Sequence, residues 1–436
     1  MNRRRLRFVY ACVLVLLPHI HGCAPSAYES LYESLDRGDA DRVAAALADT
    51  LSVHPSDPEA QKLLGIAWYR QQRYADSDSL LTHYCSTIPD DAAAAFFCAS
   101  SADSLHRDAH AITMYRQYVR GCREHESRAR AEARIRQLSY RMIQEEVRLS
   151  LSYEASLPQA DTAAIAVLPF HNYGADSTLD PLGRAMAEMM ATDLSKVRAV
   201  KVVERLRMQA IVDELSLAGT ELSSPEAAPR AGRLAGAQRI VKGSFAATDD
   251  GMMHLDASVA KTTEAEAEAY ASVLEPKEHL FRAEKKLVLD LLRSLRVPVS
   301  DDEREAILSV PTENYFAFVR YAQGLECERL GLYAQASACF REAVSLDPHF
   351  TDAKDMLEYA DAMNPAGPGG TPVALPSAGG SGRLPESDAI TSARERAAST
   401  LTETTGGYAP GFTAPAKTNP VLIQRALPAP PAPPKH

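Results

Sequence analysis

Apolar positions recur with helical spacing among polar ones over most of the chain up to residue 125, and this pattern is itself repeated. The stretch Gly38–Pro58, "GDADRVAAALADTLSVHPSDP", predicts a helix that ends before prolines, since apolar residues recur three and four positions apart. Leu63–Asp91 repeats the scheme, and residues 92–125 form a weaker copy without the closing proline. Pro55 and Pro89 close two successive copies. The pattern predicts stacked helix pairs, because one pair cannot bury its apolar face alone.

The spacing of these two prolines gives a period of about 34 residues, which resembles the tetratricopeptide (TPR) repeat. The clearest copy is Tyr321–Phe350, "YAQGLECERLGLYAQASACFREAVSLDPHF". Gly65 and Gly324 occupy the position where the two helices of a repeat need a small residue. We therefore expect TPR-like helices near both ends of the folded part of the chain.

The TPR resemblance also implies a binding groove, because the first helix of each repeat usually lines the concave face. The residues expected to line it for a protein partner are Tyr28, Tyr32, Lys62, Ile66, Tyr69 and Phe96. The alternative for Tyr28 and Tyr32 is that they only cap a short stack. In the C-terminal copy, Cys327 and Cys339 stand on facing helices and are candidates for a disulfide, with two buried free thiols as the alternative.

The middle of the chain alternates between strand and helix patterns. Ala163–Phe170, "AAIAVLPF", is a short apolar run that suits a buried strand, and Ala199–Arg205 predicts a second strand. Asp250-Gly251 predicts a tight hairpin turn. The segment Glu266–Pro276, "EAEAYASVLEP", favours a helix by propensity and a third hairpin strand by context. The next segment, Lys277–Leu295, predicts an amphipathic helix.

Three segments of this region resemble the CsgG family, outer-membrane lipoproteins of curli assembly and transport. They are "IAVLPF", "VVERLRMQAIVDELSLAG" and "AGRLAGAQRIVKGSF". The resemblance implies an α/β domain on the periplasmic side of the outer membrane, often oligomeric and not an enzyme. Pore-forming members carry long membrane-crossing insertions, whereas only Ala247–Met252 connects the hairpin here, so we expect no channel.

The N-terminus predicts export. Four arginines precede the apolar run Phe8–Leu17, which is too short to span a bilayer and has the layout of a secretory signal. Its exit, Ile20–Cys23, resembles a bacterial lipobox, which implies that Cys23 becomes the first mature residue and carries lipid. Ala24 is not aspartate, so by the same resemblance outer-membrane sorting is expected. The alternatives are an ordinary signal with a chance cysteine, or a cytosolic protein with a buried N-terminus.

Composition and motifs argue against other classes of function. The net charge is −10 and no basic patch stands out, which argues against nucleic acid. His106 and His110 have metal-ligand spacing, but no third ligand is evident, so we predict no metal and no cofactor. No catalytic motif or small-molecule site is predicted, and Glu204-Arg205 suggests either a subunit contact or a surface ion pair. The sequence after residue 363 is rich in Gly and Pro and is expected to be a disordered tail, with a partner motif as the alternative.

The predicted fold class is an α/β domain of CsgG type, flanked by all-α TPR repeats and followed by a disordered tail. The predicted units are a signal peptide at 1–22, repeats at 23–125, a helical linker at 126–160, the α/β domain at 163–300, a TPR hairpin and helix at 312–363, and the tail at 364–436. The predicted function is a lipid-anchored periplasmic scaffold or assembly factor of the outer membrane. Its expected partners are the membrane, envelope proteins and further copies of the chain. The alternative is an oligomeric, curli-type secretion component.

Overall fold

A computed structural model describes residues 28–154, 157, 160–217, 227–263 and 267–364. The predictions for the signal peptide, for Cys23 and for the tail beyond Asn364 lie outside these residues.

The N-terminal part is a stack of antiparallel helix pairs. Its helices are α1 (Glu29–Asp36), α2 (Ala40–Val53), α3 (Pro58–Arg70), α4 (Tyr74–Thr87), α5 (Ala92–Ser104) and α6 (Asp108–Gly121). The second helices of the three pairs begin at Ala40, Tyr74 and Asp108, so the spacing from one pair to the next is constant. The carboxylates of Asp57 and Asp91 accept backbone N–H groups at the starts of α3 and α5, which fixes where these helices begin.

One long helix, α7 (His125–Ser152), leads from this stack into a six-stranded sheet with its helices. The strands are β1 (Asp161–Val167), β2 (His171–Asn172), β3 (Lys201–Val202), β4 (Ala237–Ala247), β5 (Met252–Lys261) and β6 (Ala267–Pro276). The helices among and after them are α8 (Leu182–Ser195), α9 (Arg205–Leu217), α10 (Ala227–Ala235) and α11 (Leu280–Ser294). The strand order is β3-β1-β4-β5-β6, with β2 beside β4, and the first three strands of that order run parallel. The chain continues through α12 (Asp301–Leu308), α13 (Tyr315–Arg329), α14 (Tyr333–Leu346) and α15 (Thr351–Met363).

The structure decides the conformation of one ambiguous segment and shortens one predicted strand. The ambiguous segment Glu266–Pro276 is a strand from Ala267 onward, paired antiparallel with β5. Alternate residues of β6 face the core, and Tyr270 and Leu274 on the other face are 59% and 58% exposed. Pairing with β5 therefore outweighs the helix propensity of a Glu- and Ala-rich segment. Of the predicted strand Ala199–Arg205, Lys201–Val202 forms β3 beside β1, and the Val203 N–H donates one further bond to the Ile165 carbonyl at 2.9 Å.

The buried apolar side chains of the described residues form three hydrophobic cores. The repeat core lies among α1–α6, the sheet–hairpin core joins one face of the sheet to α8, α11 and α13–α15, and the α9–α10 core covers the other face. Strand β1 serves both sheet faces, since Ile165 and Val167 enter the sheet–hairpin core while Ala164 and Ala166 enter the α9–α10 core. Among the described residues, no helix combines the length and apolarity needed to cross a membrane.

Helix α7 takes part in all three cores. Ala131 and Leu138 are buried in the repeat core, Ala133 in the sheet–hairpin core and Val147 in the α9–α10 core. The helix repeats stack on its first half, and the sheet domain packs on its second half. The repeats and the sheet domain are thus built on one shared helix, which fixes their relative placement.

The predicted fold class is confirmed for the described residues: an α/β domain with a mixed sheet is flanked by paired helices on both sides.

Candidate functional site

Buried polar contacts tie α7 to the repeats. The Arg134 guanidinium donates to both carboxylate oxygens of Asp103 on α5, at 2.6 Å from Nε and 2.8 Å from Nη2. These side chains are 4% and 1% exposed, so the pair is withdrawn from water. The amide of Gln137 accepts a further bond from Arg134 at 2.9 Å and donates to the Tyr333 hydroxyl on α14 at 3.0 Å. This chain of contacts therefore runs from α5 through α7 to the C-terminal hairpin.

A second polar junction ties α7 to the sheet domain. The Asp213 carboxylate on α9 accepts from the Tyr140 hydroxyl on α7 at 2.7 Å and from Arg329 on α13 at 3.5 Å. Arg184 on α8 lies 3.7 Å from the same carboxylate. Side chains from α7, α8 and α13 thus meet at one acidic side chain of α9. Further along α7, Arg148 donates to Glu214 at 3.0 Å.

A small pocket lies beside this junction, between β1, α8 and α9, and is lined in part by Arg184, Glu188 and Arg205. Arg205 donates to Glu188 on α8 at 2.7 Å, whereas Glu204 is exposed. The charged pair suggested by the sequence is therefore replaced by a half-buried ion pair between α8 and α9, inside one subunit.

Each polar residue of the predicted groove contacts an acidic side chain at the start of α3 or α5. The hydroxyl of Tyr32 donates to Glu59, and Lys62 forms an ion pair with Asp91 at 2.8 Å while its ammonium lies 5.9 Å from the centre of the Tyr32 ring. Tyr28 likewise donates to Asp57, and this bond raises the pKa of Tyr28 to about 12. Tyr28 and Tyr32 are half-buried against the first helices of the stack. Their contacts suit both a capping role and a surface offered to a partner.

The apolar residues of the predicted groove lie deeper. Phe96 is buried with Tyr118 at 5.2 Å between ring centroids, and Ile66 is also buried in the repeat core. The prediction that Phe96 and Ile66 line a groove is therefore wrong, and both belong to the core. Neighbouring helices enclose α5 on all sides, and the face of α3 that carries Ile66 points inward. Tyr69 keeps a partly exposed ring, which packs edge-on against Phe97 at 5.3 Å. Whether the exposed remainder of this surface binds a partner stays a prediction.

Gly65 and Gly324 occupy the places that the repeat pattern assigns to them. A Cβ added at Gly65 would lie 2.5 Å from Leu81 Cγ, and one added at Gly324 would lie 2.5 Å from a ring carbon of Phe340. In both hairpins the paired helices approach too closely for a side chain at this position. This shared geometry supports the TPR-like interpretation of both helix sets.

The structure does not form the predicted disulfide. Cys327 and Cys339 are buried, free thiols on α13 and α14. They lie side by side, and their mutual hydrogen bond raises the pKa of Cys327 and lowers that of Cys339. The predicted facing of the two helices is therefore present, without the bond.

The two histidines of "HRDAH" do not share a face. His106 has a φ of 56° in the turn before α6, and its Nδ1 lies 3.5 Å from Arg141 Nη1. His110 instead faces α4 and α5, where its Nε2 lies 3.3 Å from Asp78 Oδ1 and 3.7 Å from Cys98 Sγ. Hydrogen bonds to Asp78 and Cys98 raise the pKa of His110 to about 10. Sequence spacing could not find these neighbours, because they come from two other helices.

Residues 146–254 match the family model of the curli production assembly/transport component CsgG. The middle domain is CsgG-like. The match begins within α7 and ends within β5. It therefore includes the end of α7, the parallel strands with the helices on both of their faces, and the start of the β4–β5 hairpin.

Among solved structures, the chain is similar to a tetratricopeptide repeat protein from Parabacteroides merdae ATCC 43184. The two share 14% sequence identity with a TM-score of 0.23, over 76% of this chain and 96% of that one. At these values the likeness adds nothing to the helix-pair geometry around the CsgG-like domain. No curated protein matches the chain.

Proposed function

We propose that the protein is a lipid-anchored periplasmic scaffold or assembly factor of the bacterial outer membrane. It binds protein partners through its TPR-like helices and through its CsgG-like domain. The observation that carries this proposal is the presence of α7 in all three cores, since a scaffold must hold its binding surfaces at a fixed separation.

Each unit offers a surface of the right kind. On the CsgG-like domain, Tyr270 and Leu274 are exposed on β6, the last strand of the described sheet. On the repeats, Tyr32 and Tyr69 keep partly exposed rings. Aromatic side chains supply large contact area at low cost in conformational entropy, which is why they are enriched in protein interfaces.

The membrane anchor rests on the sequence around Cys23. Two or three acyl chains on that cysteine give firm attachment, because each buried CH₂ contributes about 0.8 kcal/mol. Mass spectrometry of the protein recovered from membranes should find an acylated Cys23 as the first residue. A different first residue, or a Cys23→Ala protein that stays in the membrane fraction, contradicts the anchor.

The partner surface is tested by comparing alanine variants in recovery experiments from cross-linked native membranes. Tyr32→Ala and Tyr69→Ala should each lower the yield of partner proteins several-fold. Tyr153→Ala is the matched control, because Tyr153 is 68% exposed at the far end of α7. Circular dichroism first establishes that each variant is folded. An unchanged partner set in both repeat variants would reject the repeat surface.

The alternative is an oligomeric, curli-type secretion component, which corresponds to the assembly and transport role described for the CsgG family. Among the described strands, β6 pairs only with β5, and this favours the alternative because an unpaired strand edge can pair with a second copy. Light scattering on the detergent-solubilised protein separates the two functions. A monomer supports the scaffold, and a ring of many copies supports the secretion component.

A further inference from the structure

Three side chains with metal-binding atoms converge between α4, α5 and α6. They are Asp78, Cys98 and His110, and their ligand atoms all lie within 4.8 Å of one another. Each comes from a different helix of the stack. The proposed scaffold function makes no use of them.

We propose that Asp78, Cys98 and His110 form a binding site for one zinc ion. Zn²⁺ binds Cys sulfur at about 2.3 Å and His nitrogen or carboxylate oxygen at about 2.0–2.2 Å, so ligand atoms at the corners of a tetrahedron lie about 3.3–3.6 Å apart. Here His110 Nε2 lies 3.3 Å from Asp78 Oδ1, Cys98 Sγ lies 3.7 Å from His110 Nε2, and Cys98 Sγ lies 3.9 Å from Asp78 Oδ1. The three atoms thus already mark one face of a tetrahedron of nearly the required size.

The surroundings aim the ligand atoms at a common point. Arg107 Nη1 donates to Asp78 Oδ2 at 2.5 Å, which leaves Oδ1 directed toward Cys98 and His110. Partners of this kind orient first-shell ligands in known metal sites. The Thr82 hydroxyl lies 2.9 Å from His110 Nε2 and 3.4 Å from Cys98 Sγ, so it lines the same space. The fourth position is left for solvent.

The chemistry of the donors selects the class of ion. A thiolate, an imidazole and one carboxylate suit Zn²⁺ and its analogue Co²⁺, whereas Mg²⁺ and Ca²⁺ require sets of oxygen atoms. The negative charges of Asp78 and a deprotonated Cys98 offset those of the ion. Access is open on one side, because the side chain of His110 is 29% exposed while that of Asp78 is 3% exposed.

The expected consequence is mechanical. An ion bound by one side chain from each of α4, α5 and α6 joins the second and third helix pairs. Because the ion binds the folded state and not the unfolded chain, it stabilises the stack in proportion to the logarithm of its free concentration.

The experiment uses the full chain, purified in detergent with a tag that lacks histidine, and titrated with Co²⁺ and then Zn²⁺. We expect one Co²⁺ per chain, with a thiolate-to-cobalt absorption band in the near ultraviolet and the intense visible bands of tetrahedral Co²⁺. Zn²⁺ should displace the cobalt and abolish the bands. Absence of the thiolate band in the folded wild-type protein overturns the proposal, whatever the variants do.

Two matched pairs of variants locate the site. His110→Gln and Cys98→Ser should weaken Zn²⁺ binding by more than about 100-fold, because even loss of a second-shell partner costs about 10- to 100-fold. His106→Gln, four residues away in the turn, and Cys327→Ser, a buried thiol of the other hairpin, should bind as the wild type does. Circular dichroism shows that each variant is folded before titration. Equal losses in His106→Gln and His110→Gln overturn the assignment.

Discussion

The buried pair between Asp103 and Arg134 should dominate the stability of the contact between the repeats and α7. Arg134→Met leaves the Asp103 carboxylate buried, with the Arg141 guanidinium at 3.7 Å. Asp103→Leu leaves the Arg134 guanidinium buried, where it keeps its bond to Gln137. Removing one partner of a buried ion pair costs about 3–5 kcal/mol, because the other charge stays desolvated. We expect each single substitution to lower the free energy of unfolding by about 3 kcal/mol, at the lower end because of these remaining contacts.

The double substitution Asp103→Leu with Arg134→Met distinguishes this reasoning from a simple loss of packing. Replacing both charges with apolar side chains removes the desolvation penalty, so the double variant should lose less than about 2 kcal/mol. Urea unfolding followed by tryptophan fluorescence measures the loss of stability in the repeats, because Trp68 on α3 is the single tryptophan of the chain. A double variant as unstable as the sum of the two single variants would refute the argument.

Two further substitutions test other parts of the structure. Gly65→Ala should lower the free energy of unfolding by about 1–3 kcal/mol, the usual cost of overpacking, because the new methyl group would overlap the buried Leu81 side chain. An unchanged free energy of unfolding in urea would contradict the close approach of α3 and α4. Glu284 is buried beside Lys285 and Asp193, and burial raises the pKa of its carboxyl group to about 8. Between about pH 4.5 and 8 the folded state therefore binds more protons than the unfolded chain, so the free energy of unfolding falls as pH rises. Glu284→Gln removes this dependence, so the variant should gain stability relative to the wild type between pH 5 and pH 8, by at most about 4 kcal/mol at about 1.4 kcal/mol per pH unit. An unchanged slope of stability against pH would contradict this.

The periodic parts of the fold could be predicted from the sequence. The constant period, two glycines and the proline stops placed the helix pairs, because local spacing and chain termination determine them. The hairpin at Asp250-Gly251 was equally accessible, since Gly251 adopts the positive φ of 84° that such a turn requires. The segment from Ala267 to Pro276 was not, because only pairing with β5 decides between its two conformations.

The contacts between elements could not be predicted in the same way. The local sequence does not show that α7 takes part in three cores, because the side chains that it contacts come from other parts of the chain, such as Asp103 on α5 and Met356 on α15. The burial of Phe96 also depends on how many helices enclose α5, which the repeat phase does not specify. The cluster at His110 combines side chains of three helices, whereas residue spacing along the sequence relates only residues of one helix.

The measurement that tests the central claim most directly is urea unfolding of the wild-type protein followed by two local probes in the same samples. Trp68 fluorescence reports the repeats, and hydrogen exchange of peptides from β4 and β5 reports the CsgG-like domain. If α7 makes the repeats and the CsgG-like domain one body, both probes should give the same midpoint, and Arg134→Met should lower both midpoints together. Separate midpoints, with the β4–β5 transition unmoved by Arg134→Met, would contradict the account.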